Sequence, residues 1–200
     1  MADEVFLFAS TDTNAPVLTG QVGKLVDLLT ACLVDGYATV SVTSITRSGT
    51  TATVTTGSSH GLVTGQMATI AGAVESDYNG RYIVTVTSST VFTYTVANSP
   101  TTPATGTITS RRASAGWTLP YSGTQKAVYR SANGASQQHY FRVLDSGGTA
   151  GAAKEAAVRA YVSMSDVDTG SEPFPTVAQA TNGLFVAKSG TANSTARAWG

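Results

Sequence analysis

Arg81-Tyr82-Ile83-Val84-Thr85-Val86-Thr87 and, three residues further on, Val91-Phe92-Thr93-Tyr94-Thr95-Val96 read as the two arms of a hairpin. Successive side chains of a strand point to opposite faces, so Tyr82, Val84 and Val86 share one face and Thr85 and Thr87 the other. By the same count Phe92, Tyr94 and Val96 form a buried side, with Thr93 and Thr95 outside. Ser88-Ser89-Thr90 supplies the turn. Upstream, Ser44 to Arg47 and Thr51 to Thr55 flank Ser48-Gly49-Thr50, a second hairpin. His60-Gly61, Thr64-Gly65 and Asn79-Gly80 are further turns, where glycine gives a positive φ without steric cost. Residues 40–110 hold nineteen threonines and four charged side chains, Arg47, Glu75, Asp77 and Arg81, a composition that suits a pleated surface. Six short strands in this span predict a small immunoglobulin-like sandwich or a barrel.

Outside that module the period changes. Val22, Leu25, Val26, Leu28, Leu29, Cys32 and Leu33 recur at spacings of three and four, which predicts a helix from Thr19 to Val34 with Thr19 as N-cap and Gly36 as the residue that ends it. Before it, Val5 to Ala9 reads as a short strand. After the module, Lys126 to Arg130, His139 to Leu144 and Gly183 to Lys188 read as strands, and Gly147 to Gly151 as a flexible connection. Glu155 to Met164 is rich enough in Ala for a helix, but Val158, Ala160 and Val162 alternate with Arg159 and Tyr161, which favours a strand. The fold class is therefore mainly β: an α+β host domain with one N-terminal helix, made of residues 1–39 and 111–200, interrupted by a β module at residues 40–110. A module whose first and last strands lie side by side can occupy a surface loop of a host without stretching it. Arg111-Arg112 reads as a pair of solvated charges at the re-entry point.

The formal net charge is zero and 12% of residues are charged, so bulk electrostatics recruits neither nucleic acid nor an anionic membrane. The one cysteine, Cys32, excludes an intrachain disulfide framework and reads as a buried thiol. The first five residues are acidic where a signal peptide is basic. No apolar run approaches the roughly 18 residues of a membrane span. The expectation is synthesis in a cytoplasm, with no visible export signal and no membrane insertion.

Candidate chemistry is sparse. Val167-Asp168-Thr169-Gly170-Ser171 matches the local signature of aspartic proteases, in which two carboxylates share a proton. One copy and a polar lead-in, Met164-Ser165-Asp166, favour an exposed turn instead. Asp166, Asp168 and Glu172 suggest a calcium loop, but the later ligands are missing and Pro173 intervenes. His60 lies in a turn and His139 begins a strand, neither with a Ser, Cys or Asp at the spacing of a nucleophile elbow. The pattern predicts a protein that is not an enzyme, with no catalytic, cofactor-binding or metal-binding residues. One ring stands out: Tyr78, in a loop beside Asn79-Gly80, is the candidate ligand contact, able to stack a sugar if exposed.

Ser10 to Leu18, Leu28 to Tyr37, Gly116-Trp117, Ala127 to Arg130, Ala160-Tyr161, Met164 to Gly170, Pro173-Phe174-Pro175 and Ala196 to Trp199 together resemble an uncharacterised group of tailed-bacteriophage virion proteins. In that group Gly-Tyr is often followed closely by Gly-Trp, which supports an insertion between Tyr37 and Gly116. The module, through Ser59 to Gly65, Asp77 to Gly80 and Thr93 to Val96, is similar to small β domains of phage structural proteins. The resemblance implies a multi-copy structural component of the tail, baseplate or capsid surface, a homo-oligomer assembled in the bacterial cytoplasm, with other virion proteins as partners and no nucleic acid. A host-surface glycan-binding module is the alternative. Members of the group continue past the Ala-Trp pair, so a longer chain is implied.

Overall fold

The computed structural model describes residues 6–147, 155–181, 183–190 and 193–200. The protein is mainly β and divides into two compact units: residues 6–15, 36–113 and 200, and residues 16–35 with 114–199. The division thus falls at Gly36 and Ala113 and groups residues 6–15 with the β module.

Seven antiparallel strands form the first unit: β1 (Tyr37–Ser48), β2 (Thr51–Thr56), β3 (Met67–Ala73), β4 (Gly80–Ile83), β5 (Thr85–Ser88), β6 (Val91–Thr95) and β7 (Gly106–Arg112), in the order β4-β3-β7-β1-β2-β6-β5. The two ends of that order, β4 and β5, are neighbours in sequence, parted by Val84 alone, so the sheet curls into a nearly closed barrel. The stretch 81–87 is therefore two strands rather than one arm of a hairpin. Its first half pairs with β3 and its second with β6. At the break Val84 donates to Gln66 O and accepts from Gly65 N–H, while its side chain stays in the core. A second corner lies in β1, whose early residues pair with β7 and later ones with β2, across a bulge at Thr43. These two corners explain why sandwich and barrel were equally legible in the sequence.

The alternation puts Tyr82, Val84 and Val86, with Phe92, Tyr94 and Val96, against one apolar core that also holds Ile45, Val54, Ile70 and Ile108. Both expected faces are thus found. The turn at Gly49 has φ +58°, and first and last strands pair through Tyr37↔Arg112 and Val40↔Ser110. Backbones pinch together at Gly72 and Gly106: a Cβ on either would lie 2.1 to 2.3 Å from the other segment's carbonyl oxygen, which only glycine permits. Phe6–Ala9 forms no strand, contrary to the apolar run's suggestion; Val5 lies outside the described residues. Its rings are used otherwise, Phe6 stacking on Phe8 and under Arg81.

In the second unit β8 (Trp117–Gly123), β9 (Lys126–Ser131), β10 (Tyr140–Leu144), β11 (Glu155–Met164) and β12 (Gly170–Phe174) make an antiparallel sheet, with β13 (Phe185–Ala187) also paired to β11. Glu155–Met164 is the strand that its alternation favoured. The connection expected at Gly147 to Gly151 lies, beyond Gly147, outside the described residues. The helix α1 (Lys24–Thr30) is shorter than the predicted Thr19 to Val34 and widens into a π turn, Ala31–Asp35, before Gly36 at φ +77°. Thr19 does not cap it. Its hydroxyl accepts from Gln21 N–H at 3.2 Å, a local turn, and Gly23 in a left-handed conformation precedes the helix without a side-chain cap. Leu25, Leu28 and Cys32 are buried as the period required, and Val22, outside the helix, is partly exposed. No helix among the described residues is long and apolar enough to cross a membrane.

Candidate functional site

Tyr78 requires a correction. It lies in a short 3-10 turn, Ser76–Tyr78, but its ring points into the barrel core at 0% exposure. Its hydroxyl donates to Thr101 O at 3.1 Å, and its carbonyl accepts from Tyr94 O–H at 3.0 Å. Tyr82 stacks on Tyr94 with centroids 4.2 Å apart. Burial pushes the hydroxyls of both upward from the ordinary phenol range, with Asp77 adding to the effect at Tyr82 and the neighbouring tyrosines at Tyr94. Tyr78 and Tyr94 are core, and Tyr82 packs against it. The glycan reading loses the exposed ring on which it rested.

His60 is also structural. Leu62 N–H donates to its Nδ1 at 3.0 Å, so the ring proton sits on Nε2 and is donated to Ser88 O at 3.0 Å, with Phe92 edge-on. This pins the loop before β3 to the turn after β5. His139 is exposed and rests on Phe174.

The Asp-Thr-Gly stretch forms the turn between β11 and β12. Asp166 accepts from the N–H groups of Asp168 and Thr169, and these bonds hold its carboxyl below the usual range. Asp168 pairs with Lys126 of β9 and, at 2.7 Å, with Arg142 of β10, whose Nε also donates to Val167 O. The Lys126 hydrogen bond, then that of Arg142, keeps Asp168 ionised to lower pH than usual. A carboxylate already neutralised by two cations is a poor cation ligand and no shared-proton acid. Among the described residues no cluster of three or more His, Cys, Asp or Glu could hold a metal ion.

Two polar arrangements carry no local sequence signal. The first, in the second unit, is a buried ion pair between Asp145 and Lys188, both at 0% exposure. Asp145 also accepts from Leu25 N–H at 2.8 Å, supplying from 120 residues away the cap that α1 lacks, and Lys188 donates to Gln21 O at 2.6 Å. Tyr129 of β9 holds the helix further along, donating to Val26 O at 3.0 Å and lying 2.9 Å from the Thr30 hydroxyl at its last residue, and burial pushes its hydroxyl up to about 12.

The second is at the mouth of the barrel, and it corrects the reading of Arg111-Arg112 as solvated charges. Arg111 is exposed, but Arg112 is 6% exposed, because Ile108, Ser110 and Arg112 are the inward set of β7. Its Nη2 donates to Leu7 O and its guanidinium lies 5.6 Å from the Phe8 ring centroid. Nε and Nη1 are buried with no acceptor among the described residues. Beside it opens a cavity of about 290 Å³ lined by Phe6, Leu7, Val63 to Met67 and Arg112. Leu7 at 72% and Val63 at 57% exposure make its rim apolar.

No family model, no curated protein and no solved structure matches the chain. Fold and geometry define its class: a mainly β protein of two units, one a nearly closed barrel set between two segments of the other.

Proposed function

We propose that the chain is a non-enzymatic structural component of a tailed-bacteriophage particle, present in many copies at the tail, baseplate or capsid surface. The observation that carries this reading is that the barrel strands begin at Tyr37 and end at Arg112, filling the interval between Gly36-Tyr37 and Gly116-Trp117, landmarks that stand close together in the virion group the sequence resembles. Within the second unit Ala115 N–H donates to Cys32 O at 2.8 Å, so that unit's chain is tied together across the interruption. The barrel's own ends are paired through β1 and β7. Three of the five titratable groups singled out as chemical candidates are consumed in structure: His60 by two backbone groups, Asp166 by two amides, Asp168 by two cations.

Association in this reading uses faces rather than sheet edges. The nearly closed barrel leaves little edge, and of the outer strands of the other sheet β8 and β12 carry proline, Pro120 and Pro173, while the three-residue β13 does not. Proline withholds the donor that an added strand needs. The test is mass spectrometry and reconstruction of the tailed particle encoded together with this chain. The expected result is density for it in several symmetry-related copies; a complete particle map without it ends the proposal.

A further inference from the structure

We propose that the barrel mouth is a binding pocket for a carboxylate carried on a short apolar chain, with Arg112 as the anion partner. The alternation of β7 sends Arg112 inward at the last residue of the strand, where the apolar core ends. There the guanidinium meets one carbonyl oxygen, from Leu7, and one ring face, from Phe8. None of the ion pairs among the described residues includes it. Burying a cation without a counter-charge is costly, and leaving its donors unmet adds to the cost. Among the described residues, this group at the wall of a cavity is short of one anion.

The cavity supplies the rest of the ligand's description. Phe6, Leu7, Val63 and Met67 offer apolar walls, and nothing lies within 4 Å of where a Cβ on Gly65 would stand. At about 290 Å³ it sits at the small end of ligand pockets, which run from roughly 300 to 1,000 Å³. One guanidinium in the lining matches one negative charge, which favours a monoanion over a phosphate dianion. Nε and Nη1 are shielded from solvent, so a ligand meets the guanidinium at Nη2, in competition with Leu7 O, and what it supplies is the counter-charge rather than partners for the two shielded donors. A carboxylate brings two acceptor oxygens where that carbonyl brings one. The inference stands whether or not the chain belongs to a particle.

Octanoate is the probe, titrated into the full chain while the methyl resonances of Leu7, Val63 and Met67 and the Arg112 Nε–H are followed by NMR. Saturable shifts at these residues are expected, with octanol and octylammonium weaker by about tenfold or more, the worth of one charge-assisted contact. Val63→Glu, at an exposed rim position, should leave the melting temperature unchanged and weaken octanoate by a similar factor through like-charge repulsion. Arg112→Met should melt at the same or a higher temperature while losing the octanoate response. Acetyl-leucyl-leucine, compared with its amide, separates the sources: tighter binding of the peptide acid than of octanoate assigns the pocket to a polypeptide C-terminus, the reverse to a small organic acid. Unsaturable shifts, equal binding of octanol, tighter binding of octyl phosphate, or unaltered binding by Val63→Glu would each overturn the proposal.

Discussion

The two units solve the same problem, how to hold a small β fold together, by opposite means. In the barrel the centre is largely apolar, built from Ile45, Val54, Ile70, Phe92 and Ile108; of the buried polar groups Thr56, His60 and Arg112 sit on turns or at a strand end, and Ser110 lies within β7. In the second unit a fully buried charge pair, Asp145 and Lys188, joins the N-terminal approach of α1, the segment after β10 and the segment after β13. Near-closure of a sheet satisfies backbone groups by strand pairing and lets side chains be apolar throughout. An open sheet with one short helix leaves helix-end amides to be met, and a buried carboxylate meets them at the cost of needing its own cation.

That contrast can be tested by breaking each centre in turn. The largest effect is expected from Asp145→Ala, which strands the Lys188 ammonium and uncaps Leu25; breaking a buried pair costs about 3–5 kcal/mol. Urea unfolding followed on a probe within residues 114–199 measures it, and Asp145→Ala combined with Lys188→Met should recover part of the loss. No recovery would show that the pair's charge is not what matters. In the barrel, Ile70→Ala should cost about 2–5 kcal/mol through the cavity it leaves, with no second substitution of charge able to restore it.

A smaller, pH-dependent effect separates the units further. Asp168 is held below the ordinary carboxylate range by Lys126 and Arg142. A depressed folded value contributes stability above the unfolded value, lost as pH falls through the folded one, so the second unit should lose stability below about pH 4. Melting curves against pH should show a shallower acid loss in Asp168→Asn. The smallest effect is expected from replacing Pro120 and Pro173 by Val. Stability should change by about 0.5 kcal/mol or less, but sedimentation should reveal concentration-dependent association as the sheet edges regain donors. If the variant stays monomeric, edge protection is not the role of these prolines.

Much of this was legible locally. Alternation located the faces of 81–87 and 91–96, the strand at 155–164 and the buried side of α1, because period 2 and period 3.6 are properties of a segment and its solvent exposure. Turn chemistry placed Gly61, Gly65 and Gly80 at positive φ and Gly36 at the end of the helix. The misreadings share a cause. Thr19 has the chemistry of a cap, but a hydroxyl two residues from an amide can bond locally, and the true cap is Asp145. Tyr78 sits in a polar turn whose sequence says nothing of what the turn folds over. Arg112 looks solvated beside Arg111, yet adjacent residues of a strand face opposite ways, and one of any such pair goes inside.

By itself, then, the sequence determined a mainly β chain with one helix, a threonine-rich module of short strands and a particular set of inward side chains, since each follows from spacing and local sterics. Only the tertiary structure decided that 81–87 splits at Val84 so that the sheet can curl round on itself, that Asp145 and Lys188 meet at the end of α1, and that Arg112 lies beside an apolar cavity with donors unmet. The physical reason is one of range. Periodicity and turn propensity act over a few residues, whereas near-closure, charge pairing and burial are set by segments separated by tens to more than a hundred residues, whose meeting no local pattern encodes.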